Sequence, residues 1–167
     1  MLLNTTFFNK KNLFIGATIL CVSIVSGILI FANANNKDTN LKDMPSYTTV
    51  LPSSKTIDSL GGWSRVSPPN SDPVYAYTDT VDTVSITVSE QPLPVSFKSD
   101  VSTKVAEVAK NFNATTKLEA KSTDFYIGTS ASGPQSVIFA KNDVLILIKS
   151  QKKIDDEKWG VYIDSLR

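Results

Sequence analysis

The chain has 167 residues, of which 41% are hydrophobic and 20% are charged, as in ordinary globular proteins. That length accommodates one modest domain together with a targeting segment. A formal net charge of +1 at pH 7 leaves no electrostatic footprint for nucleic acid, so no nucleic-acid partner is predicted. The sequence contains no histidine, the commonest general base and zinc ligand. Its single cysteine, Cys21, permits neither an intramolecular disulfide nor a cysteine-based metal site.

One long hydrophobic run lies near the N-terminus. Residues 13–32 carry no charge, and about 20 such residues can cross a hydrocarbon core as a helix. Lys10 and Lys11 precede the run, and positive charge tends to remain on the cytoplasmic side. The sequence therefore predicts a cytoplasmic tail over residues 1–12, a transmembrane helix over residues 13–32, and an extracytoplasmic remainder.

Two interpretations of this segment remain open. Besides an uncleaved anchor, it fits a signal peptide, because Ala32-Asn33-Ala34 has the A-x-A form of a cleavage site. Cleavage near Ala34 would release the domain as a secreted protein. Residues 33–54 are polar and without periodicity, which favours a flexible linker. The folded domain is then predicted over residues 55–167.

The predicted elements of that domain follow in chain order. Period-two alternation and turn residues predict seven short strands, at residues 64–67, 74–78, 83–89, 117–122, 124–129, 135–140 and 144–148. Apolar residues at helical spacing predict a helix over residues 99–111 and a second helix that begins at Asp155. Residues 144–148 are apolar on both faces, which is typical of a central strand. We therefore expect an α+β domain, with a small, mostly antiparallel sheet and two helices packed on one face.

Several segments together carry a family resemblance. They are residues 72–79, 91–94, 126–130, 133–139, 145–150 and 159–166. In these segments the chain resembles a group of uncharacterised single-pass envelope proteins of candidate-phyla (Saccharibacteria-like) bacteria. Those proteins share an N-terminal hydrophobic helix, a polar linker and a small exported domain. The resemblance implies a location in the bacterial cell envelope and implies no activity.

Motifs that would carry catalysis or bind a metal are weak. Ser150 and Lys153 have the S-x-x-K spacing of a lysine-activated serine, but neighbouring carboxylates would keep the lysine charged. Two groups of acidic residues lack the alternating spacing of a calcium loop, and capping or turn formation explains them. These groups are Asp72, Asp79 and Asp82, and Asp155, Asp156 and Glu157. No catalytic residue, metal ligand or cofactor is predicted.

A binding surface is the more plausible kind of site. Tyr75 and Tyr77 share one face of a predicted strand, and together with Trp63 and Tyr126 they would form a platform for glycans or peptides if exposed. The alternative is that these aromatic residues pack under the helices. A small basic patch that would touch an anionic polymer or lipid is predicted at Lys149, Lys152 and Lys153, with an ordinary solvated surface as the alternative.

The sequence thus predicts a non-catalytic binding or accessory module of the cell envelope. Its expected partners are the membrane, through residues 13–32, and an envelope protein or cell-wall polymer. Two alternatives remain. One is a small hydrolase that acts through carboxylates. The other is a carrier that holds a lipid or small molecule in a groove between sheet and helices.

Overall fold

The structure is a computed structural model that describes residues 44–167, so the predicted tail, the transmembrane helix and the first half of the linker lie outside the described residues. It contains one seven-stranded sheet of order β1-β2-β3-β7-β6-β5-β4 in which every neighbouring pair is antiparallel. The strands are β1 (Ser64–Arg65), β2 (Tyr75–Val81), β3 (Val84–Pro92), β4 (Thr116–Glu119), β5 (Asp124–Thr129), β6 (Gln135–Lys141) and β7 (Val144–Ser150). The helices are α1 (Val101–Lys110) and α2 (Asp156–Ser165). The predicted α+β class and antiparallel sheet are confirmed.

Two tight turns fix the register of the sheet. Asp82 and Thr83 join β2 to β3, and Asn142 and Asp143 join β6 to β7. All four residues have positive φ angles of 48°, 66°, 51° and 60° respectively. Two-residue hairpins favour positive φ at both turn positions because that backbone twist matches the twist of the strands. Each hairpin therefore starts in register from its turn, Val81 opposite Val84 and Lys141 opposite Val144.

The register divides the strand residues between two faces. Val88 lies opposite Ile148, and Ile148 lies opposite Val137, so these three residues share one face. Ile138 and Leu147 are paired on the other face. The central strand β7 is therefore apolar on both sides, as its sequence indicates, and it needs cover on both faces.

The two helices supply that cover from opposite sides, which corrects the prediction that both pack on one face. Trp159 and Ile163 of α2 belong to a buried cluster with Val88 and Ile148. Helix α1 belongs to a second buried cluster on the other side, which contains Ile138 and Leu145. We call these sides the α2 face and the α1 face. Neither helix within residues 44–167 is long and apolar enough to cross a membrane.

A segment before β1 also packs on the α2 face. Residues 47–53, here called the strap, lie inside the range predicted to be a flexible linker. Leu51 and Arg167 exchange two backbone hydrogen bonds of 2.9 Å, and Pro52 forms an isolated bridge with Leu166. Val50 is fully buried. The ordered domain therefore begins before the predicted boundary at residue 55, because a buried apolar residue and a short ladder hold the strap.

Candidate functional site

The aromatic residues of the predicted platform lie mainly in the core. Tyr75 and Tyr77 share a face of β2, as predicted, but only 5% and 2% of their surface is exposed. Trp63 packs edge-on against both rings, with centroid separations of 6.4 and 5.2 Å. This arrangement favours the alternative of core packing for the two tyrosines.

Tyr126 is separated from that aromatic group. It lies opposite Ile138 on the α1 face and packs, half-buried, against the cluster under α1. The sheet therefore stands between Tyr126 and the other three aromatic residues.

The three lysines of the predicted basic patch are exposed. Lys149 lies on β7, where its Nζ is 6.0 Å from the centre of the Phe112 ring. Lys152 and Lys153 lie in the loop after β7, and Lys153 borders a polar depression beside Asp156. Lys149 and Lys153 therefore have different surroundings.

The α1 face is only half covered. Helix α1 contacts β5 and β6 and leaves the β2–β3 hairpin uncovered. We call the uncovered part the open face; apart from the buried Ala76, its side chains are hydroxyls and an amide, from Thr78, Thr80, Ser85, Thr87, Ser89 and Gln91. The two acidic residues of these strands, Asp79 and Glu90, have the opposite parity and point to the α2 face. The open face of the hairpin is therefore polar and uncharged.

A groove of about 180 Å³ lies where the open face meets α1. Its walls are mostly apolar, formed by Val66, Val74, Val108, Phe112, Leu145 and Leu147. Ser89 and Gln91 contribute polar groups from the sheet, and Lys149 borders the same groove. The arrangement offers apolar contact and neutral hydrogen-bonding groups side by side, with one cation.

The most unusual side chain is a carboxyl that the sequence analysis missed. Glu90 is 0% exposed, and its Oε2 accepts a hydrogen bond of 3.1 Å from the backbone N–H of Val50. Its Oε1 has no hydrogen-bond partner among residues 44–167. Burial raises the pKa of Glu90 to about 8, and the hydrogen bond from Val50 opposes that shift only in part. Strand parity could have revealed it, since Glu90 continues the buried series of Ile86 and Val88.

A second buried acid on the same face is well supplied with donors. Asp79 accepts hydrogen bonds from the Thr80 backbone N–H at 2.7 Å and from the Tyr162 hydroxyl at 3.2 Å. Its Oδ1 also forms an ion pair with Lys55. Tyr77 lies on β2 next to Asp79 on the same face, and Glu90 lies nearby on β3. Burial, and then the charge of Glu90, raise the pKa of Tyr77. Neither acid reaches the groove, so no pair of carboxylates converges there.

A third buried polar side chain fastens α2. Gln135 is 3% exposed, and its Oε1 accepts hydrogen bonds from Ile154 N–H at 2.8 Å and from Trp159 Nε1–H at 2.9 Å. Its amide nitrogen donates to the Thr129 hydroxyl at 3.1 Å. These hydrogen bonds fix the start of α2 and the indole of Trp159, a large side chain that is fully buried against the sheet.

Residues 44–167 contain no group of three acidic, histidine or cysteine side chains placed to hold a metal ion. Comparison with protein-family models, with curated proteins and with solved structures finds no match. The chemistry of the site therefore has to be argued from its own residues.

Proposed function

We propose that this chain is a membrane-anchored module of the bacterial cell envelope that binds a cell-wall polymer without catalysis. In this proposal residues 13–32 anchor the chain and the domain lies outside the membrane. The observation that carries the proposal is the open face with its adjoining groove. Antiparallel sheets can leave a polar face in water, and here that face adjoins an apolar groove, so the two together are accessible for binding.

The chemistry of the open face suits a glycan chain. Hydroxyl and amide side chains such as Thr87, Ser89 and Gln91 can donate to and accept from sugar hydroxyls. Apolar surface next to them, including the ring of Phe112, can contact the hydrophobic face of a sugar ring. Lys149 would pair with an acidic substituent on the polymer.

Two observations weigh against the alternative functions. A groove of about 180 Å³ falls below the roughly 300–1,000 Å³ of pockets that enclose small molecules, which disfavours a lipid carrier. The buried acids Asp79 and Glu90 face away from the groove, which disfavours a hydrolase that acts through these carboxylates. An accessory subunit that binds an envelope protein on the open face remains the second candidate, because a flat polar sheet with an apolar edge also suits a peptide.

The test is co-sedimentation of the full chain, in detergent, with purified insoluble cell-wall polymer. Thr87→Glu places a charge at the centre of the open face and is expected to weaken retention at least tenfold, on the order of 1.4 kcal/mol or more. Thr116→Glu introduces the same charge at an exposed strand position on the other face and should leave retention unchanged. Equal retention of both variants would contradict the proposal. Failure of the unmodified chain to sediment, with loss of a stoichiometric protein partner from Thr87→Glu, would favour the accessory subunit.

A further inference from the structure

Besides its backbone pairing with residues 165–167, the strap makes a second set of contacts around Glu90. Val50 donates its backbone N–H to Glu90 Oε2, and the Tyr47 hydroxyl donates to the Glu90 backbone carbonyl at 2.6 Å. The Tyr77 hydroxyl donates to the Val50 carbonyl at 3.4 Å, and the Tyr47 ring packs 6.1 Å from the Tyr75 ring. The strap therefore covers the carboxyl and is bonded to it at the same time.

The site under the strap suits a neutral acid and not a carboxylate. Glu90 is fully buried, and no donor in the described part of the chain reaches its Oε1. An ionised carboxyl in such a place loses its hydration without a compensating charge. None of the ion pairs within residues 44–167 includes Glu90. A protein can relieve such a penalty by local opening as well as by protonation.

The other groups around Glu90 do not offer a positive charge. Tyr47 from the strap and Tyr77 from β2 both have their pKa raised, first by burial and with a further contribution from the charge of Glu90. Tyr75 lies directly opposite Glu90 on β2, and Asp79 lies farther along the same strand. From β7, the residue opposite Glu90 is the apolar Ile146. Among the described residues that face Glu90 from the strap, β2 and β7, none carries a positive charge that would favour its ionisation.

We infer that the strap is a releasable segment, which docks over neutral Glu90 and leaves the sheet when Glu90 ionises. Release would expose Glu90 to water and free residues 47–53 from the sheet. Since an extended chain spans at most about 3.3–3.6 Å per residue, the freed segment would lengthen the connection to the N-terminal region by roughly 20 Å. This inference is independent of what binds the open face, because the strap lies on the opposite side of the sheet.

The direction of the pH dependence follows from the burial of Glu90. The docked state keeps Glu90 protonated up to a pKa of about 8, compared with 4.5 in water. Between these values the open state holds fewer protons than the docked state, so opening becomes more favourable as pH rises. Transfer of one proton changes the opening constant by at most tenfold per pH unit, or about a few hundredfold between pH 5 and pH 8.

The test is amide hydrogen exchange of the full chain in detergent from pH 5 to pH 8. Exchange rates are expressed as protection factors, because dividing by the intrinsic exchange rate of an unprotected amide removes the pH dependence of the exchange reaction itself. The amides of Val50, Leu51 and Ser53, which donate to Glu90, Arg167 and Ser165, report on the strap. We expect their protection to fall about a few hundredfold across this range and to remain well below that of the β7 amides, which exchange only through global unfolding.

Three variants separate release from a general loss of structure. Glu90→Gln keeps the shape but cannot ionise, so strap protection should become flat with pH. Tyr47→Phe removes the 2.6 Å hydrogen bond and should lower protection by a similar factor at every pH, with the slope retained. Glu119→Gln changes an exposed acid on β4 and should leave the slope unaltered. A slope that persists in Glu90→Gln, or strap amides as well protected as those of β7 in the unmodified chain, would overturn the inference.

Discussion

Gln135 and Glu90 are two buried polar side chains of similar size on the same face of one sheet, and each fastens a different segment. Gln135 fastens the start of α2 and has a partner for its oxygen and for its nitrogen. Glu90 fastens the strap and has a partner for one oxygen only. Gln135 is always neutral, whereas Glu90 can ionise.

The contrast shows how the same packing depth can produce a permanent or a conditional attachment. A buried amide whose oxygen and nitrogen both have partners contributes specificity at every pH. A buried acid with one orphaned oxygen is tolerated only while it stays protonated. The start of α2 should therefore be insensitive to pH, and the strap should not be.

The largest expected effect is on the pH dependence of global stability. Because the folded state raises the pKa of Glu90 from 4.5 to about 8, the folded state binds more protons than the unfolded state in that window. The free energy of unfolding should therefore fall as pH rises from about 4.5 to about 8, by at most about 5 kcal/mol. Urea denaturation of the full chain in detergent at several pH values measures this slope.

The acid side of the same profile has the opposite sign. Hydrogen bonds from Thr103 to Asp100, and from Ser122 to Asp164, lower the pKa of each carboxyl below its usual 3.8. Their contribution is present above that value and is lost as pH falls through the lowered pKa values. Glu90→Gln should remove the alkaline slope and leave this acid limb intact. An alkaline slope of unchanged size in Glu90→Gln would show that another group causes it.

A smaller effect is expected at the permanent attachment. Gln135→Leu leaves the Ile154 N–H and the Trp159 indole N–H buried without acceptors, and it should lower the free energy of unfolding by about 3 kcal/mol. Because no titratable group is removed, the loss should be equal at pH 5 and pH 8. Gln151→Leu, the same change at an exposed position, should alter stability by less than about 0.5 kcal/mol. A loss at Gln135 that varies with pH would break the contrast with Glu90.

The smallest expected effect concerns Asp79, which is intermediate between the two. Asp79 is an acid like Glu90. Like Gln135, however, it has a partner for each of its polar side-chain atoms. Tyr162→Phe removes one of these donors while the Thr80 N–H and Lys55 remain, so the free energy of unfolding should fall by about 1 kcal/mol. Urea denaturation at pH 7 measures it. A loss as large as that of Gln135→Leu would show that Asp79 depends on Tyr162 alone.

Much of the fold follows from local patterns. The strands predicted at residues 124–129 and 135–140 match β5 and β6 to within one residue, and the helix predicted at 99–111 contains α1. These elements depend on alternation, helical spacing and turn residues within a few positions of each other. The side of the sheet on which each helix packs depends instead on how its connections cross the sheet. The apolar character of 144–148 on both faces carried that information, because a strand apolar on both sides requires cover on both sides.

The site was harder to predict because it depends on long-range pairing. Tyr75 and Tyr77 share a strand face, as alternation predicts, but only the packing of Trp63, Tyr47 and the strap decides that this face is buried. The strap reads as a polar linker because only Val50 and Pro52 are buried within residues 47–53, and two positions are too few to establish a periodicity. The open face likewise becomes visible only when the position of α1 is known.

The attachment of the strap also has a mechanical consequence. A pull on the chain from its N-terminal side would reach Tyr47 first, then Val50, and then the paired Leu51 and Arg167. These contacts would break one after another instead of sharing the load, so the strap should peel away at low force. The seven-stranded sheet would remain intact during this first extension, because the strap would lengthen before force reaches the strands.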